Sequence, residues 1–134
     1  MNANAASAAN LTGVWRGRYV YPHHLGEVSF LATLIETATR LSGTVSEPVG
    51  AAEGARMEAT LAGDRTGSIV SFVKTYQDLA RFPDPVEYNG TLSADGMEIR
   101  GTWLIRGHAL RGTFVMARPA RSHASVSRKV TERA

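Results

Sequence analysis

The chain has 134 residues, enough for one domain with a core of its own and little room for a second. Hydrophobic residues make up 43% and charged residues 20%, which argues against wholesale disorder, collagen-like repeats and a coiled coil; the absence of cysteine excludes disulfides, thiolate zinc sites and cysteine nucleophiles. The net charge of +3 belongs to one end: residues 1–118 carry eleven basic and eleven acidic groups, and in residues 119–134 Arg121, Arg128, Lys129 and Arg133 meet only Glu132.

Residues 1–10 are small and polar, without the basic start and apolar run of an export signal, and read as a disordered leader of a cytoplasmic protein. Residues 11–118 read as strands separated by turns. Val14–Tyr21 alternates, with Trp15, Gly17, Tyr19 and Tyr21 on one side and Arg16 and Arg18 on the other. After a Pro22–Gly26 link, Val28, Phe30, Ala32 and Leu34 share a face, as do Leu41, Gly43 and Val45. A soft loop over residues 48–55 precedes Met57, Ala59 and Leu61, and Gly63-Asp64-Arg65-Thr66-Gly67 reads as a tight reversal. Ser68–Tyr76 is a fifth strand, and residues 77–85, stiffened by Pro83 and Pro85, are the longest connection. Three further strands follow: Val86–Leu92, Met97–Ile105 and Leu110–Met116. Arg100, Arg106 and Arg111 face away from their apolar sides. Residues 119–134 read as a basic, flexible tail, too sparsely charged to anchor to a membrane or to nucleic acid. No apolar run is long enough for a membrane-spanning helix.

Eight short strands without an amphipathic helix predict an all-β antiparallel sandwich or barrel. Gly17, Gly43, Gly90, Gly101 and Gly112 fall on the apolar side of their strands, between large residues. Inward glycines relieve crowding in a closed sheet and let strands bend. Closure also removes the sheet edges that this chain has no helix to cover. The expectation is an eight-stranded up-and-down (meander) barrel.

Leu11-Thr12-Gly13-Val14-Trp15 resembles the Gly-x-Trp opening of the calycins, the lipocalins, fatty-acid-binding proteins and avidins. In lipocalins the tryptophan closes one end of the barrel and an arginine after the last strand packs across it; the resemblance implies that closing role for Gly13, Trp15 and Arg118. It also implies a small-molecule-binding barrel. The chain lacks the tryptophan-rich biotin site of avidins, so no biotin ligand is carried over.

The phase of Ser68–Tyr76 is open. With Ile69, Ser71 and Val73 inward, Phe72, Lys74 and Tyr76 form an exposed stripe; with Val70 and Phe72 inward, Lys74 and Tyr76 follow them. The second phase avoids two exposed aromatics on one short strand. It places Lys74 near Tyr19 and Tyr88, as an anchor for the carboxylate or carbonyl head of an apolar ligand walled by Phe30, Trp103 and Phe114. A Lys74 near the rim would instead reach water with its stem packed.

Other chemistry finds little support. His23 and His24 have no third ligand at metal spacing, so no metal or cofactor is expected, and a haem-ligating histidine is a minor alternative. Ser29, Ser71 and Ser93 lack a nucleophile elbow. Glu27, Glu36, Glu47 and Glu87 read as solvated carboxylates at strand ends or on polar faces, and no catalytic residue is assigned. The leading function is a non-catalytic binding module for a small apolar or amphipathic ligand, with an internal cavity on the order of a few hundred cubic ångströms. A barrel packed solid, acting in protein association as a monomer or homo-oligomer, is the alternative, and an enzyme using Tyr/Lys acid–base groups the lesser one.

Overall fold

A computed structural model describes residues 10–24, 26–49 and 54–119. The leader and the basic tail, apart from Asn10 and Pro119, lie outside the described residues. Eight strands follow in chain order: β1 (Gly13–Val20), β2 (Glu27–Thr37), β3 (Arg40–Pro48), β4 (Arg56–Thr66), β5 (Ile69–Tyr76), β6 (Val86–Leu92), β7 (Glu98–Ile105) and β8 (Leu110–Ala117). Each pairs antiparallel with the next. β8 returns to β1, with Arg16 to Val20 opposite Ala117 to Thr113, so the sheet is a closed up-and-down barrel. Two short 3-10 turns, Pro22–His24 and Arg106–His108, are the helical elements among the described residues. No helix there is long and apolar enough to cross a membrane.

Alternation decides what fills the bore. Trp15, Leu34, Val70, Ile99 and Met116 are buried at one end, Phe30, Phe72, Tyr88 and Phe114 in the middle, and Tyr19, Tyr76 and Trp103 towards the other end. Arg16, Arg18, Arg100 and Arg111 stand outside. The inward glycines are sites of close approach. A β-carbon at Gly112 would lie 2.6 Å from the Trp103 Nε1 and closer still to the Val20 carbonyl. At Gly101 it would lie 2.5 Å from the Gly90 Cα. Such contacts require glycine without any special backbone angle.

Two strands run further than expected. β3 continues through Glu47 to Pro48, because Leu41, Gly43, Val45 and Glu47 keep one unbroken parity. β4 continues to Thr66, so the expected reversal at Gly63–Gly67 moves to its last residues, where Gly67 has φ 60°. Gly63 is a packing glycine: a β-carbon there would lie 2.7 Å from that of Phe72. Extending β4 carries Arg65 to the inner side, where it is 3% exposed.

Candidate functional site

At the Trp15 end the Trp15 ring is fully buried, its Nε1 donating to the Leu11 carbonyl at 2.9 Å. The Arg118 guanidinium lies 4.7 Å from the indole centroid and donates to the carbonyls of Gly96 and Asn10. Glu36 turns inward here: its Oε1 accepts the Leu11 N–H at 2.9 Å and lies 3.4 Å from Arg65. This end is closed by side chains whose polar groups are met by the backbone and, between Glu36 and Arg65, by each other.

Towards the opposite end β5 takes the second phase. Phe72, Lys74 and Tyr76 point inward and are 5%, 2% and 8% exposed, while Ile69 and Val73 face out. The register places Phe72 beside Tyr88 and Lys74 beside Val86, so Lys74 does not reach water at the rim. Its ammonium donates to Glu47 Oε2 at 3.1 Å. The other Glu47 oxygen accepts the hydroxyls of Tyr19, at 2.7 Å, and Tyr76, at 3.1 Å. Three rings surround the Lys74 Nζ, those of Tyr19 and Tyr76 at 4.6 Å and Tyr88 at 5.4 Å. Both members of the pair are essentially buried, at 1% and 2% exposure.

Glu47 is the member that the sequence reading placed in solvent, and that placement is corrected. Its parity within β3 was the available signal, overridden by its position next to Pro48 at a strand end. Glu36 is corrected likewise, with a side chain only 9% exposed.

Burial, followed by the negative charge of Glu47, raises the Tyr19 and Tyr76 phenols well above their ordinary value. Burial raises Tyr88 in the same direction. For Lys74 burial dominates and lowers its proton affinity, with Glu47 opposing in part. The cluster therefore holds hydroxyl donors that stay protonated beside an amine that gives up its proton more readily than a surface lysine.

All eight proposed lining residues face the bore. Phe72 and Tyr88 stack at 4.9 Å, and Phe114 meets Tyr88 edge-on at 5.0 Å. Trp103 donates to the Val20 carbonyl and packs edge-on against Tyr19 and Tyr21. Interleaving these rings leaves a void of only about 10 Å³, bounded by residues that include Phe30, Phe72, Lys74 and Tyr88. That is at most the room for one water. The expected large internal cavity is thus corrected: the rings that would wall it occupy it.

Open space lies outside the bore: a pocket of about 570 Å³ on the outer wall beside Arg16, Arg18 and Arg100, one of about 330 Å³ beside Arg18, Val20 and Thr113, and a smaller one at the mouth. The mouth pocket, of about 220 Å³, is lined by Val49, Arg56, Met57, Glu58, Gln77, Asp78, Arg81 and Phe82. Met57 is the register partner of Glu47, and the Phe82 ring lies 5.1 Å from that of Tyr76. The mouth pocket and the buried cluster thus share a wall of two side chains. Among the described residues no group of three histidines or carboxylates is placed to hold a metal ion.

No protein-family model matches the chain, and no curated protein matches it. Solved structures do. A redesigned β-barrel superposes with a TM-score of 0.64 at 12% identity, covering 88% of this chain and 95% of its own. A de novo designed fluorescence-activating β-barrel gives 0.59 at 14% identity, covering 85% and 98%. The chain is similar to both in fold: a closed, eight-stranded, all-antiparallel up-and-down barrel.

Proposed function

We propose that the barrel is a non-catalytic binding module for a small amphipathic molecule, received at the end away from Trp15. The observation that carries this reading is the Lys74–Glu47 pair, buried among three tyrosines and one layer of side chains below the mouth pocket. A buried ion pair is a weak source of stability, because well-packed apolar residues of similar volume do as well or better. Its presence is better explained by recognition of a polar head. The calycin resemblance of Gly13, Trp15 and Arg118 supports the same direction, one end closed and the other receiving.

Because Glu47 already neutralises Lys74, a second carboxylate entering the cluster meets like charge. A neutral head, hydroxyl or carbonyl, suits the available donors better than the anionic head that Lys74 alone suggests. Entry of the head requires Phe82 and Met57 to move aside, which leaves the apolar chain against them. Titration of the full chain with decanol and with decanoate, followed by tryptophan fluorescence, tests this. Decanol is expected to bind saturably and about tenfold more tightly than decanoate. Equal affinities, or a preference for decanoate, would remove the role given to Glu47.

The second reading, a solid barrel acting in protein association, is favoured by the 10 Å³ void. Exposed Val14, Leu31 and Ile35 lie together on the outer face of β1 and β2 and supply an apolar patch. Absence of saturable decanol binding together with self-association in light scattering would favour it.

A further inference from the structure

Lysine is almost absent from this chain. Of its fifteen basic residues thirteen are arginine, and the lysines are Lys74 and Lys129. The outer face of the barrel thus carries arginine, and its one lysine is sealed inside on β5. The two side chains differ in chemistry more than in charge. A guanidinium keeps its proton and is no amine nucleophile, whereas an ammonium loses a proton on burial and then attacks carbonyl carbon.

The surroundings of Nζ suit that reaction. Glu47 stands 3.1 Å away as proton acceptor and as counterion for a cation, and the Tyr19 and Tyr76 hydroxyls meet its other oxygen. The rings of Tyr19, Tyr76 and Tyr88 flank the nitrogen and stabilise positive charge on it. We infer that Lys74 is a covalent anchor that condenses reversibly with the aldehyde group of an apolar molecule to form an imine. This deepens the binding reading above and rests on it. An aldehyde fits better than a ketone, since it brings one carbon substituent rather than two into a bore that the rings around Lys74 nearly fill.

The step balances without an oxidant or reductant. The Lys74 ammonium gives one proton to Glu47, and the nitrogen lone pair forms a bond to the carbonyl carbon. The resulting carbinolamine retains the former carbonyl oxygen. Nitrogen loses a second proton to that oxygen, Glu47 returns the first, and the oxygen leaves as water. One ammonium and one aldehyde become one iminium ion and one water, with Glu47 ionised before and after. The lowered proton affinity of Lys74 assists the first transfer.

The folded full-length chain is treated with decanal and cyanoborohydride, which fixes an imine as a stable secondary amine, and the modified residue is mapped by peptide mass spectrometry. The available amines are Lys74, Lys129 and the chain terminus. Lys74 is expected to take one decyl group about tenfold faster than Lys129, and excess decanol to suppress labelling at Lys74 alone. The Lys74→Arg chain, which keeps the cation but has no amine nucleophile, is expected to form no adduct in the barrel. If decanol binds but Lys74 is labelled only after unfolding, the covalent inference is overturned and the binding reading stands. If decanol neither binds nor protects, and Lys74 stays unlabelled, both are overturned.

Discussion

Burying Lys74 and Glu47 together makes each depend on the other. Removing one leaves an unpaired charge under a roof of tyrosines, and such changes cost about 3–5 kcal/mol, whereas replacing both with apolar residues is often neutral or better. Glu47→Leu alone is therefore expected to lower stability in chemical denaturation by about that amount, and the double change Lys74→Met with Glu47→Leu to restore most of it. A double variant as unstable as the single would mean that the pair itself holds the barrel together. The tyrosines give an independent reading. Their phenols are held protonated by burial and by Glu47, so the native chain resists a proton loss that the unfolded chain undergoes near its ordinary value of 10.0. That contribution is complete below this pH and is lost as pH rises beyond it. Lys74 works in the opposite sense: between its lowered folded value and 10.5 the unfolded chain binds the extra proton, so this group's share of stability grows with pH. At ~pH 11 the phenolate absorbance of the native protein should fall well short of that of the denatured protein. Equal absorbance from a folded chain would place these hydroxyls in water.

The strands carry their own test in the glycines. Gly101 and Gly112 face backbone across the barrel wall, so Ala at either must push a strand outward, at a cost of about 1–3 kcal/mol. Gly107, in the turn before β8, has only the Asp84 carboxylate within reach, at 3.9 Å, and Gly107→Ala should change stability by no more than about 0.5 kcal/mol. Comparable losses at all three positions would argue against tight closure. Alternation also accounts for what was legible at this scale. The glycine parity pointed to closure, and six of the eight strands were placed within two residues; β3 and β4 ran on where an inward polar side chain ended the apolar pattern too early. Glu47 and Arg65 were those side chains. Apolar periodicity stops being a guide where a strand turns a charged residue inward, because the signal of that turn is a partner on another strand.

At the level of the molecule, the barrel has one end closed by side chains and another that we propose receives the ligand. At the first, Trp15 and Arg118 stack and donate to backbone carbonyls and Glu36 pairs with Arg65, while the second sets Tyr19, Glu47, Lys74 and Tyr76 below a pocket bordered by Phe82 and Met57. Strand parity put the bore's rings inward but left open the phase of β5, and with it Lys74, and did not decide between a hollow and a filled bore. Ring volumes interleave in three dimensions, and the alternation of a strand says which way a ring points without saying what meets it. Isotope-edited NMR of the full chain titrated with decanol puts the division of the barrel to the most direct test. Saturable shifts at Tyr19, Lys74, Tyr76 and Phe82, with Trp15 and Arg118 unmoved, are the result predicted here; shifts confined to the outer arginines, or none at any concentration, would contradict a receiving end built around Lys74.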